Sequence, residues 1–305
     1  MRFGQSKRAQ RPIIAKQEDP ALREMELMNQ FFERVGSSLL GEKRYRAAAR
    51  CMERLDPRYR ASMRRLRAFH KVHRGKRCFV LGNGPSLKRT DLSLLAGEFS
   101  FATNRIYLGF DESAFRPSYY VCCNELVVEQ CASEIAQLEM PKFIAWHNRE
   151  LIEYTRDMVF LWTRSGLRSW FYTDLAEGCW EGSTVTMVCL QLAYYMGFSE
   201  VVLVGVDHSY QFEGRPHEAV VSQGDDPNHF NANYFGKGFK WHLPDLQGSE
   251  LSYRVARHMF ELDGRRIVDA TIGGKLQVFE KVDYYGLFGD ERMGRTISAP
   301  NSAAA

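Results

Sequence analysis

The 305-residue chain has no run approaching the roughly 18 uninterrupted apolar residues that a membrane-spanning helix needs. Its basic N-terminus, MRFGQSKRAQRPIIAKQ, lacks the apolar core of a secretory signal, so the expected location is the cytoplasm. No C-x-x-C pair occurs among seven cysteines, and no zinc-ligand spacing accompanies them. Small buried thiols in a reducing compartment are expected instead of a disulfide scaffold or a metal module. No internal repeat is present. What is there is an ordinary globular composition, 45% apolar and 26% charged, enough for a sizeable core.

A small net charge of +4 hides an asymmetry. Residues 1–77 hold 21 Lys/Arg against 8 Asp/Glu, and the remainder holds 20 against 29. A basic segment on an acidic body calls for an anionic partner. Residues 1–18 read as a disordered basic tail. Residues 19–75 read as a basic helical extension, with Asp19-Pro20 and Asp56-Pro57 as cap-and-first-turn pairs. Two roles stay open for it: a solvated extension packed on the main domain or on another copy of the chain, or attachment to an anionic membrane surface through residues 19–77, at the inner membrane. Nucleic acid is not expected.

From Lys76 short apolar runs alternate with helical patterns. Strands are expected at 78–82, 99–103, 119–123, 143–146, 159–162, 201–206 and 266–270, and helices at 91–97, 125–139, 183–197 and 249–263. That alternation predicts an α/β fold over 76–290, a mostly parallel, Rossmann-like nucleotide-binding domain, followed by a disordered tail over 291–305. Ligands of such sheets bind beyond the carboxyl ends of the strands, so the informative residues should follow the strands.

Four segments do. The stretch "RCFVLGNGPSLK" runs a buried strand into Gly82-Asn83-Gly84-Pro85-Ser86. Glycines let backbone amides approach an anion, and a following helix N-terminus favours negative charge. It is neither a Walker A loop nor a dinucleotide fingerprint, because Gly-Lys-Ser/Thr is missing and Leu87 stands at the third glycine. Ligand loop and tight structural turn both remain open. Asn104 and Asn124 follow the next two strands; an amide can cap a helix or hold a nucleoside. Gly182-Ser183-Thr184 opens an apolar helix that leads to a strand ending in Gly205-Val206-Asp207. The long polar stretch 207–250 carries His208, Tyr210, His217, His229, Tyr234 and His242. A loop of that length suggests a lid, and histidine suits a general base near neutral pH. A metal site from Asp225, Asp226 and His229 lacks standard spacing.

"VLGNGPSLK", then "ATNR", then "GSTVTMVCLQLAYYMGFSEVVLVGVD" resembles the motif order of the bacterial sialyltransferases of glycosyltransferase family 42. The same core is similar to the MptE-like proteins, a family of archaeal hydroxymethylpterin pyrophosphokinases and Maf-type flagellin-modifying transferases. "DPNHFNANYFGKGFKWHLPD" and "DATIGGKLQVF" read as closer to that group. The resemblance spans about 76–287 and implies a GT-A-like variant of the Rossmann-like fold. It places Asn83 and Ser86 at the donor phosphate and ribose and Asn104 at the cytidine or its ribose; Gly82, Gly84 and Asn124 join them as nucleotide-binding candidates on the reading of their own segments. Ser183 and Thr184 would face the sugar carboxylate or phosphate, with Asp207 at the strand end. Tyr210 would assist the leaving phosphate. His242 would be the catalytic base, with His229 as its rival. The sialyltransferase arginine just before the helix has no counterpart in "GCWEGSTV".

The expected function is transfer of a nonulosonic acid, sialic or Kdo-like, from a CMP-sugar donor to a surface or lipid-linked glycan, with no cofactor. The alternatives are Mg²⁺-dependent pyrophosphoryl transfer from ATP to a hydroxymethylpterin-like alcohol, with Asp207, Asp225 and Asp226 positioning the metal, and a non-catalytic nucleotide-binding module.

Overall fold

The computed structural model describes residues 53–165 and 171–289. The expected basic tail, the extension up to residue 52 and the C-terminal tail lie outside the described residues. The chain divides into two units, Met1–Pro57 and Arg58–Ala305. The second carries the α/β fold.

Its eight-stranded sheet contains β1 (Arg77–Leu81), β2 (Phe99–Thr103), β3 (Tyr119–Cys122), β4 (Lys142–Ala145), β5 (Met158–Leu161), β8 (Glu200–Val204), β11 (Arg266–Asp269) and β12 (Glu280–Lys281). The order across the sheet is β12-β11-β8-β1-β2-β3-β4-β5, and every pairing in it is parallel. The central strands are near-continuous apolar runs because both faces are covered. Alternate residues divide between two cores. Cys78, Val80, Phe101, Val121 and Val201 face one; Phe79, Leu81, Ala102, Tyr120 and Val202 face the other. Burial pushes up the thiol pKa values, that of Cys122 to about 12, and the six described cysteines are all buried and unpaired.

Among the described residues four α-helices cover the sheet: α1 (Pro57–Ala68), α2 (Glu125–Ala136), α3 (Val185–Met196) and α4 (Leu246–Leu262). The first face takes α3, buried almost all round, with Met63 and Leu66 of α1 and Tyr253, Ala256 and Phe260 of α4. The second takes Val127, Val128, Cys131 and Ile135 of α2. Helix α1 lies along the edge strand β5. Phe160 N–H donates to Ser62 Oγ (2.9 Å), and Arg65 donates to the Met158 carbonyl (2.7 Å). These bonds engage edge groups that would otherwise invite a foreign strand.

The structure differs from expectation in several elements. The segment after the glycine loop is a short 3₁₀ turn, Pro85–Arg89, and the helix expected over 91–97 is another, Leu92–Leu95. Asp91 caps Ser93 N there, a local bond that competes with a longer helix. Helix α4 starts earlier than expected, where the Asp245 side chain accepts from Gly248 N. Two small ladders also form: β6 (Thr163–Arg164) with β7 (Cys179–Trp180), and β9 (Ala219–Val221) with β10 (Lys240–His242). The second stiffens the polar stretch expected to be a loop. No described helix is long and apolar enough to cross a membrane.

Candidate active site

The chain leaves β1 toward β2 on one side, while β8 and β11 lie on the other. Strands β1 and β8 therefore flank a topological switch point, where the crevice beyond their carboxyl ends takes ligands. Gly82 N–H donates to the Val204 carbonyl (2.8 Å) and Gly84 N–H to the Gly205 carbonyl (2.9 Å), which splice the two strand ends together. A Cβ on Gly82 would run into the Gly205 carbonyl, so the close approach requires glycine.

Asp207 fills the place expected for a phosphate. Its carboxylate accepts from Ser86 N (3.0 Å) and Ser86 Oγ (2.6 Å), and it stands where a Cβ of Gly84 would be. The glycine loop's anion is thus the chain's own. Ser86 is fully buried and does not line the cavity; it holds Asp207. Leu87, at the third glycine position of a dinucleotide fingerprint, packs on Gly205.

Beside the loop lies a cavity of about 120 Å³. Two of its walls carry buried amide oxygens with no hydrogen-bond partner, Asn83 Oδ1 and Asn104 Oδ1. Asn83 is only 8% exposed, and its Nδ2 donates to Thr103 Oγ1 (2.9 Å) and the Thr103 carbonyl (3.1 Å). Asn104 sits at φ 49°, its carbonyl held by Tyr120 Oη (2.7 Å). An unmet buried acceptor costs about 1–3 kcal/mol, so each of the two oxygens calls for a donor, from a water or a ligand group, that reaches it. Asn124 is elsewhere: its side chain caps α2 by accepting from Val127 N, and it does not line the cavity.

The floor is made by two helix N-termini. Gly182 and Ser183 take φ of 55° and 61°, and the Thr184 side chain caps α3. Ser183, Thr184, Val185 and Thr186 line the cavity from α3; Pro244, Leu246 and Ser249 line it from α4. Hydroxyls bolt these ends together: Ser249 Oγ donates to the Ser183 carbonyl (3.2 Å), Ser252 Oγ to the Gly182 carbonyl, and Thr184 Oγ1 meets Tyr253 Oη (3.4 Å). Both dipoles present their positive ends to the cavity. No Lys or Arg lines it among the described residues, so helix dipoles and amides supply the positive field.

The polar stretch forms the roof. His229 Nδ1 hydrogen-bonds Asp226 Oδ2 (2.7 Å), and its ring stacks on Tyr234 at 3.9 Å. Burial alone would raise the Asp226 carboxyl; bonding to His229 and the amides of Asn228 and Phe235 outweighs it and holds the group below its ordinary range. With Nδ1 engaged, Nε2 has no protein partner among the described residues, the arrangement of an oriented general base. Tyr210 stands edge-on to His229 with ring centroids 5.9 Å apart, and burial raises its phenol. Phe230 N–H donates to the Asn83 carbonyl (2.9 Å), which ties roof to glycine loop. His242 is exposed on β10 and does not line the cavity.

The structure thus gathers Gly82, Asn83, Gly84, Asn104, Ser183, Thr184, Asp207, Tyr210 and His229 around one cavity, and leaves Ser86, Asn124 and His242 off its walls. Asp226 enters as the orienting partner of His229, His208 of the polar stretch also lines the wall, and Asn228 and Tyr253 are wall residues that the sequence reading did not single out. A carboxylate three residues before a histidine was the available signal. Asp207, Asp225 and Asp226 do not converge: the first holds Ser86, the third holds His229, and Asp225 is exposed. Among the described residues no three His, Cys, Asp or Glu side chains come together as a metal site.

A family model described as 6-hydroxymethylpterin diphosphokinase MptE-like matches residues 52–213. That span contains the glycine loop, Asn104, the α3 N-terminus and Tyr210, and ends before Asp226 and His229. Among solved structures the chain is similar to a MAf glycosyltransferase from Magnetospirillum magneticum AMB-1, at 14% identity and a TM-score of 0.46. The similarity covers 71% of this chain and 35% of that one. No curated protein matches the chain.

Proposed function

The chain belongs to the MptE-like family, and on that premise we propose that it is a nucleotide-dependent transferase that moves a nonulosonic acid from a CMP-sugar to a glycan hydroxyl. The observation that carries this is the oriented His229–Asp226 pair, set in one cavity with two unpartnered amide oxygens and two helix N-termini. The nucleoside supplies the donors that Asn83 and Asn104 lack. Its phosphate and the sugar carboxylate lie toward the N-termini of α3 and α4. His229 Nε2 takes the proton of the acceptor hydroxyl as that oxygen bonds to the anomeric carbon. The bond from that carbon to phosphate breaks, and CMP leaves with the electron pair. Tyr210, kept protonated by burial, donates to the departing phosphate.

At about 120 Å³ the cavity is smaller than the ~300–1,000 Å³ of most small-molecule sites. Donor entry therefore requires the roof, residues 208–246, to shift. Pyrophosphoryl transfer is the second reading, favoured by the description of the family model. There Mg²⁺ would draw its ligands from substrate phosphates and at most Asp207, since the other two carboxylates lie apart or are engaged.

Thermal shift with CMP, CDP, UDP and ATP, each with and without Mg²⁺, separates the two. Stabilisation by CMP without metal is expected; stabilisation by ATP with Mg²⁺ alone overturns glycosyl transfer. Asn104→Gly keeps the backbone at φ 49° and removes the amide. CMP affinity should fall up to about tenfold, one hydrogen bond's worth, with no loss of melting temperature in the apo protein.

A further inference from the structure

A second, larger cavity of about 580 Å³ lies at the far end of α3. Helix α3 has 12 residues, so at 1.5 Å per residue its ends are about 18 Å apart, too far for one small ligand to span both cavities. Arg67, His70, Lys71, Arg74 and Arg265 line this cavity, with Tyr194 and Tyr195.

Two groups stand out among the basic residues of 58–77. Arg58 pairs with Glu150, Arg65 donates to Tyr154 and the Met158 carbonyl, and Arg77 pairs with Glu98. These hold the fold. Arg67, Lys71 and Arg74 are exposed and have no carboxylate partner among the described residues, yet all three meet at the cavity. The two acids on its wall are engaged: Asp263 pairs with Arg265 (2.6 Å), and Asp174 accepts from Ala176 N (2.9 Å). Neutralising the negative end of α3 is the simplest alternative use of the cations. That end, however, is already satisfied by backbone: Lys71, His73 and Gly75 donate N–H groups to the carbonyls of Tyr195, Met196 and Gly197. The same three bonds fix the backbone that carries the cations, with Lys71 at φ 56°. Gly197 permits the approach, since a Cβ there would press on the Cα atoms of Lys71 and Arg74 at 3.1 and 3.2 Å.

We propose that this cavity is a second binding site, for a phosphate-bearing anion, formed by Arg67, Lys71, Arg74 and Arg265. Arg67, Lys71 and Arg74 have no carboxylate partner among the described residues and converge on one concave space, Lys71 and Arg74 from the hydrogen-bonded strap, while Arg265 adds its charge from its pair with Asp263; that combination suits multidentate contact with phosphate oxygens. The same chemistry is offered by an anionic lipid headgroup or by a soluble phosphorylated molecule. The site does not depend on what the first cavity transfers.

The test uses the full chain and a triple variant, Arg67→Gln, Lys71→Gln and Arg74→Gln, beside a control triple at exposed cations outside the cavity, Arg64→Gln, Lys88→Gln and Lys237→Gln. Two probes are applied: inorganic pyrophosphate by calorimetry, and sedimentation with phosphatidylcholine vesicles with and without phosphatidylglycerol. Melting temperature and CMP response report the fold and the first cavity. The cavity triple should bind about a hundredfold more weakly, with an unchanged melting temperature, given the contribution of each basic side chain near an anionic surface. Loss toward phosphatidylglycerol vesicles alone identifies a headgroup; loss toward pyrophosphate identifies a soluble ligand. Equal loss in both triples, or no loss in the cavity triple with either probe, overturns the proposal. If the cavity triple melts early, Arg67→Gln and Lys71→Gln are made singly, and each must weaken binding about fivefold at a native melting temperature; native binding in both overturns the proposal.

Discussion

His229 and Asp226 are three positions apart but act as one unit, because the carboxylate fixes Nδ1 and leaves Nε2 open at 8% side-chain exposure. His229→Gln keeps the packing on Tyr234 in part and removes the proposed base, and turnover should fall about 10²–10⁴-fold with little change in KM. Asp226→Asn should lower turnover less and alter its pH dependence, since the carboxylate no longer biases the tautomer. His242→Gln, on the exposed strand β10, should leave turnover near native. Steady-state kinetics over a pH series checks all three, and a large loss in His242→Gln with a native His229→Gln would reverse the assignment. The resemblance put His242 first with His229 as its rival; in the structure His229 lines the cavity and is bonded to Asp226, while His242 is exposed off its walls, which supports His229 in the proposed role.

At the scale of elements, the glycine loop is a clasp closed by Asp207. Gly84→Ala pushes a methyl group into that carboxylate and should destabilise by about 1–3 kcal/mol. Asp207→Ala removes the obstacle along with the bonds to Ser86. In that background the cost of Gly84→Ala should shrink, giving a coupling energy in a double-mutant cycle read by urea denaturation. Strict additivity of the two changes would mean that loop and carboxylate do not meet. The apolar run, the glycines and the closing Gly-Val-Asp were all legible in the sequence. That the loop grips a carboxylate was not, because Ser86 and Asp207 are 121 residues apart and meet only when β1 and β8 pair. The short 3₁₀ turn over Pro85–Arg89, which Thr90 Oγ1 closes by donating to the Ser86 carbonyl, stands where a helix N-terminus was expected.

For the whole unit, the strap that joins α1 to β1 carries a pH-sensitive contact. His73 is buried against Phe99 and Phe198 and hydrogen-bonded to Tyr119. Burial, then the charge of Lys76, holds its pKa below the ordinary 6.5. Below about 6.5 the unfolded chain takes a proton that the native chain refuses, so this contribution to stability is full above 6.5 and is lost as pH falls through the lowered native value. Urea titrations between pH 7 and 5 should show stability falling with pH, and His73→Phe should flatten the slope; an unchanged slope would show that His73 is not its source. Legible in the residues alone were the α/β class, the parallel central strands, a helix end such as Gly197, and a set of polar residues gathered after strands; that Asn124 caps a helix and stays off the cavity was not. Those features rest on hydrophobic period and capping, which act over a few residues. The tertiary structure decided which polar residues share a cavity, which carboxylate orients which histidine, and which arginines stay unpaired. The shared cavity depends on contacts between residues far apart in the chain, made when the strands take their places around the switch between β1 and β8, and even the local Asp226–His229 pair reaches the cavity only because Phe230 N–H is tied to the Asn83 carbonyl.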